Sequence, residues 1–202
     1  MIARCVITWT MRVAELDLLG ISDGMHRDVE KILITEEEIR MRLDVLAQKV
    51  LIDFADEEIV VVILLKGALV FAADMCRRLP VPMTVECLNV ASYHGDIKSS
   101  GKVEFLDAKL PEVGGKKVLV LDDILDTGLT MRAVIDRLGE LGAREVRGCV
   151  LLNKLKVRDV ECEADYKAFD IEDEFVIGYG LDYRGRFRNL PYVGVMKSEV
   201  IE

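Results

Sequence analysis

Apolar and polar positions along the chain alternate between two periods. Over 34–56, "ITEEEIRMRLDVLAQKVLIDFAD", Ile39, Leu43, Leu46, Val50 and Phe54 recur at helical spacing, which predicts a helix with one buried face. Thr35 and Glu38 have the spacing of a capping box, and Ile34 can staple onto Ile39. "IVVVILL" (59–65) follows without a polar break and predicts a strand buried on both faces. "KGALVFAADMCRRL" then reads as a second helix opened by Gly67. "VPMTVECLNVASY" and "KKVLVL" are further strands, "TMRAVIDRLGELG" is a helix, and "REVRGCVLL" is another strand.

Strands rich in Val, Ile and Leu that alternate with helices predict an α/β fold, a mainly parallel central sheet flanked by helices on both faces. In such sheets ligands sit beyond the carboxyl ends of the strands, where "LLKG", "LDDILDTGLT" and "LLNK" all fall. The tail reads as two short strands around a charged turn, "EFVIGYGLDYRGRFRNLPYVGVMK", and is expected to form a small hood near 165–202. We expect one domain over 21–202, preceded by an N-terminal extension over 1–20 in which Met11 is an alternative start.

Composition narrows the function. The chain has 202 residues, a net charge of -9 and no strongly basic window, which argues against nucleic acid as the main partner. No apolar run is long enough to cross a bilayer, so no membrane partner is expected. Five cysteines without CxxC or Cys/His spacing give neither a disulfide framework nor a zinc site and favour a cytoplasmic location.

The chemistry concentrates at 118–130, "VLVLDDILDTGLT". Asp122 and Asp123 end a strand, and either could bind a divalent metal or accept hydrogen bonds from a sugar diol. Asp126 lies just beyond them. The amides and hydroxyls of Thr127, Gly128, Leu129 and Thr130 converge where a helix begins, a place that favours phosphate. Any single acid here could be a helix cap; three together point to a phosphorylated sugar. An ATPase acid pair would need an upstream G-x-x-x-x-G-K-[ST], which is missing. A receiver domain would carry its acids on the first strand.

This stretch resembles the ribosyl-pyrophosphate motif of type I phosphoribosyltransferases, and its form with an acid at position 126 is similar to that of the hypoxanthine-guanine phosphoribosyltransferases. The resemblance runs in order from about Val29 to Lys197 and leaves the first residues uncovered. It implies that Asp126 is catalytic, accepting the purine N7 proton or holding that proton by hydrogen bond. Asp122 and Asp123 would hold ribose hydroxyls and metal. "LLKGALVF" resembles the pyrophosphate loop, so Lys66 and Gly67 would bind pyrophosphate, the Leu65–Lys66 peptide being able to turn cis, and Arg188 would join them. Ser92 and Tyr93 would belong to a closing lid. Lys154 would meet the purine 6-oxo group, Phe175 would stack on the base, the backbone of Val176 would read its edge, and Asp182 would hold a second Mg2+. The implied substrates are phosphoribosyl pyrophosphate and a purine base, the implied cofactor is Mg2+, and the implied assembly is a homodimer or homotetramer. A xanthine-preferring transferase and a non-catalytic regulator of the same fold are the alternatives. Asp122 stands where many relatives carry Glu, and Arg184 and Arg186 have no assigned role.

Overall fold

The computed structural model describes residues 27–54, 57–92, 103–158 and 160–201. In chain order the elements are β1 (Val29–Ile34), α1 (Glu36–Phe54), β2 (Ile59–Leu65), α2 (Leu69–Cys76), β3 (Met83–Ser92), β4 (Val103–Phe105), β5 (Lys117–Leu125), α3 (Leu129–Glu140), β6 (Glu145–Lys154), β7 (Tyr166–Ile171), β8 (Val176–Ile177) and β9 (Val193–Met196), closed by a 3-10 turn at Ser198–Val200. Six strands form the main sheet in the order β4-β3-β2-β5-β6-β7. All its pairings are parallel except β3 with β4.

The continuous apolar strands divide their residues between two cores because successive side chains point to opposite faces. Ile59, Val61, Ile63, Leu119 and Leu121 pack with α1 and α2, whereas Val60, Val62, Leu64, Val118 and Val120 pack with Met131, Val134 and Leu138 of α3. This accounts for the absence of alternation in β2, which is buried along nearly its whole length. The helix start predicted at Thr35 is present: Thr35 N–H donates to Glu38 Oε2 at 2.8 Å and Glu38 N–H returns a bond to Thr35 Oγ1 at 3.3 Å. Ile34 and Ile39 lie in the same core. Gly67 lies in the turn before α2, and Ala68 is the cap of that helix.

The hood expected near 165–202 is differently composed. Tyr166–Ile171 pairs in parallel with β6 and completes the main sheet, its Tyr166 hydroxyl donating to Asp53 at the end of α1. The separate small sheet has the order β1-β9-β8, so it draws one strand from ahead of α1. β8 is only two residues long, and β1 supplies β9 with a second pairing edge. Ile177, Phe187, Leu190, Tyr192 and Met196 form the hood's own core. Tyr179 fixes it to the main body by donating its hydroxyl to Asp74 of α2. Among the described residues no helix is long and apolar enough to cross a membrane.

Phe71 is wholly buried in α2 and holds that helix, with the turn ahead of it, against the sheet. Phe71→Ala is expected to lower unfolding free energy by about 3–5 kcal/mol, checked by urea denaturation.

Candidate active site

β5 stays apolar until Leu121 and then carries Asp122 and Asp123 within its last turn of pleat, with Asp126 as the first residue beyond it. Asp122 is one of two buried polar side chains among the described residues, at 8% exposure. Backbone amides meet both acids: Asp123 N–H donates to Asp122 Oδ1 and Ile124 N–H to Asp123 Oδ1, each at 3.0 Å. Burial, then the neighbouring Asp123 charge, pushes the Asp122 carboxyl well above the ordinary carboxylate range. Burial also raises Asp123, while a hydrogen bond from Asp122 and the charge of Arg188 pull it back.

These acids line a cavity of about 280 Å³ together with Gly67, Asp126, Thr127, Gly128, Thr130, Asp182 and Arg188. Four separate stretches of the expected site therefore meet at one cavity: the Gly67 turn, the β5–α3 turn, Asp182 and Arg188. Gly128 caps α3 with φ +84, a left-handed conformation open to glycine, and a side chain there would press on Cys162 at 3.0 Å. The first amides of α3 have no intrahelical acceptor, and the Leu129 N–H makes only a 3.4 Å bond to Thr127 Oγ1. That end of the cavity is suited to an anion.

The opposite wall is built by close backbone approach. A Cβ on Gly67 would lie 1.6 Å from Asp123 Oδ2, and one on Gly180 would lie 2.1 Å from the Gly67 carbonyl oxygen. Gly180 adopts φ +104. Arg188 ties this layer together, donating from Nη1 to the Gly180 carbonyl at 2.6 Å and pairing through Nη2 with Asp182 at 2.5 Å. Asp182 also accepts from the Gly185 N–H at 2.7 Å. The Leu65–Lys66 peptide is cis, the conformation that the resemblance allows for.

Lys154, at the end of β6, stands 3.4 Å from Asp126 Oδ2 and donates to Asp173 Oδ1 at 2.7 Å. Phe175 and Val176 open β8 outside the cavity lining. The Phe175 ring is 41% exposed and meets Tyr183 edge-on at 5.6 Å, while its carbonyl accepts from Met196 N–H. Val176 is buried and pairs with Val195. Ser92 closes β3 and Tyr93 lies outside the described residues, so the expected lid does too. Sequence reading missed Lys156, Asp173 and Gly180. Lys156 lies two positions past the end of β6, and its ammonium group faces Asp126 as that of Lys154 does.

A strand-end acid cluster beside a helix start, faced by Gly67, Gly180 and Arg188, thus forms a cavity suited to a polar, anionic ligand. The chain matches the phosphoribosyl transferase domain over residues 30–184. It is 37% identical over 176 residues to the hypoxanthine-guanine phosphoribosyltransferase of Staphylococcus epidermidis, covering 87% of this chain and 98% of that one. A crystal structure of a hypoxanthine phosphoribosyltransferase from Staphylococcus aureus superposes with a TM-score of 0.83 at 36% identity, covering 88% of this chain and 97% of that chain. The bifunctional protein TilS/HprT of Listeria monocytogenes is 37% identical over 182 residues, 90% of this chain but 28% of the length of that protein. The chain belongs to the phosphoribosyltransferase family, in its hypoxanthine-guanine branch.

Gly180→Ala would force a side chain into a left-handed residue and against the Gly67 carbonyl. Calorimetric titration with pyrophosphate should show affinity weakened by at least about tenfold, equivalent to about 1.4 kcal/mol.

Proposed function

We propose that this chain transfers the 5-phosphoribosyl group of phosphoribosyl pyrophosphate to N9 of hypoxanthine or guanine, releasing pyrophosphate and the nucleoside monophosphate. The carrying observation is the division of labour among the acids at the end of β5. All three line the same cavity, but Asp122 is buried with Asp123 partly buried beside it, whereas Asp126 is half-exposed and flanked by lysines. Two environments on one strand end favour two chemical roles.

In this reading the α3 amides and Thr127, Gly128 and Thr130 hold the ribose 5-phosphate. Asp122 and Asp123 accept hydrogen bonds from the ribose hydroxyls. Lys66, Gly67 and Arg188 receive the pyrophosphate, whose charge grows as the C1–O bond breaks. N9 of the base forms the new bond to C1, the N7 proton passes to Asp126, and Lys154 directs the 6-oxo group. Phe175 and the Val176 backbone flank the base.

Among the described residues no three His, Cys, Asp or Glu side chains gather into a ready-made metal site. The carboxylates that line the cavity are oxygen donors of the kind Mg2+ takes one or two at a time, completing its shell from phosphate and water. Asp122, Asp123 and Asp182 are the carboxylates that would hold it. When bound, Mg2+ supplies neutralising charge to the pyrophosphate. Cys76, Cys87, Cys149 and Cys162 are free thiols, which supports a reducing, cytoplasmic location. A homodimer or homotetramer is the assembly that fits the family, and 21–202 is the domain that carries the function.

Assays with phosphoribosyl pyrophosphate and Mg2+ should give fast nucleotide formation from hypoxanthine or guanine. Preference for xanthine would move the chain within the family, and binding of the donor without turnover on any base would favour a regulator. Asp126→Asn should keep fold and donor binding while lowering turnover on the order of 10^2 to 10^4; unchanged turnover removes Asp126 from the mechanism.

A further inference from the structure

Lys156 belongs to none of the roles above, yet its ammonium group meets Oδ1 of Asp126 in direct ion pairing. That oxygen is buried, and a carboxylate oxygen out of reach of water needs a compensating charge. Lys154 does not answer that need in full. Its shorter contact, 2.7 Å, goes to Asp173, against 3.4 Å to Asp126 Oδ2. Lys156 has the reverse preference, with Asp126 closest and Asp173 at 3.4 Å. Two cations and two carboxylates thus form a ring in which each lysine has its own principal acid.

Resting on the reading of Asp126 as the group that receives the purine proton, we infer that Lys156 is its positioning residue, an ammonium group that pairs with the buried Oδ1 and holds the Asp126 carboxylate in place before the base arrives. The pairing frees Lys154, anchored on Asp173, to offer a remaining N–H to the 6-oxo group. In the transfer step the N7–H electron pair stays with the purine and the proton goes to Asp126. The resulting acid returns it to water as product leaves, and Lys156 remains an ammonium ion throughout. Its own affinity for a proton is raised, chiefly by the hydrogen bond to Asp126 and further by Asp173. The charged groups facing Asp126 are Lys154 of β6, Lys156 beyond it and Asp173 ahead of β8, with Asp122 and Asp123 upstream on its own strand.

The test compares Lys156→Met with Lys156→Arg in the full chain. A 13C carboxylate titration of the free protein, assigned with Asp126→Asn, reads the Asp126 midpoint without any need for turnover. Loss of one opposite charge should raise that midpoint by roughly one pH unit in the Met variant, and Arg should restore it. The acid limb of kcat/KM for the purine should move with it, while KM for phosphoribosyl pyrophosphate stays unchanged. A midpoint or a limb that stays in place, or an Arg variant as impaired as the Met variant, overturns the proposal. A shifted midpoint in a protein that transfers ribose to no base would uphold the Lys156–Asp126 pair and overturn the transferase reading instead.

Discussion

Two adjacent carboxylates kept out of water at the end of an apolar strand set the terms for everything around them. Burying such charge is costly unless hydrogen bonds and counter-charges compensate. Here the compensation comes from the backbone amides of Asp123 and Ile124, from the charge of Arg188, and from a raised affinity for protons at Asp122. The strand can carry them there because both faces of β5 up to Leu121 are secured in separate cores.

The same constraint explains the glycines. For the hood to bring Asp182 and Arg188 to Asp123, the Gly180 backbone must lie against the Gly67 carbonyl and the Gly67 backbone against the Asp123 carboxylate, and the two glycines provide that spacing. Arg188 then acts at once as a fastener, through the Gly180 carbonyl and Asp182, and as a cation over the acids. Tyr179, buried and bonded to Asp74, anchors the hood on the helix that follows the Gly67 turn. Cavity shape and hood position therefore depend on the same few contacts.

Asp126 lies just beyond the buried pair and has the opposite surroundings. It is half-exposed, with lysines on both oxygens, so the cost of its charge is met by Lys154 and Lys156. One short segment thus holds two carboxylates that resist ionisation beside one that is paired with lysines on both oxygens. The proposed transfer, which binds a polyanion and also accepts a proton, would use both.

Much of this was legible in the residues themselves. Helical periodicity and a capping box located α1, unbroken Val/Ile/Leu runs located the parallel sheet, and "DDILDTGLT" located the site, because each is a local pattern with a local cause. The chain alone could not place β1 beside β9 or move Tyr166–Ile171 into the main sheet, since strand partnership is decided by long-range pairing. Nor could it single out Gly180 among fifteen glycines or Lys156 among the surface lysines. Those roles arise from contacts between segments far apart in sequence, and only tertiary packing brings a glycine under a carbonyl or an ammonium group onto a carboxylate.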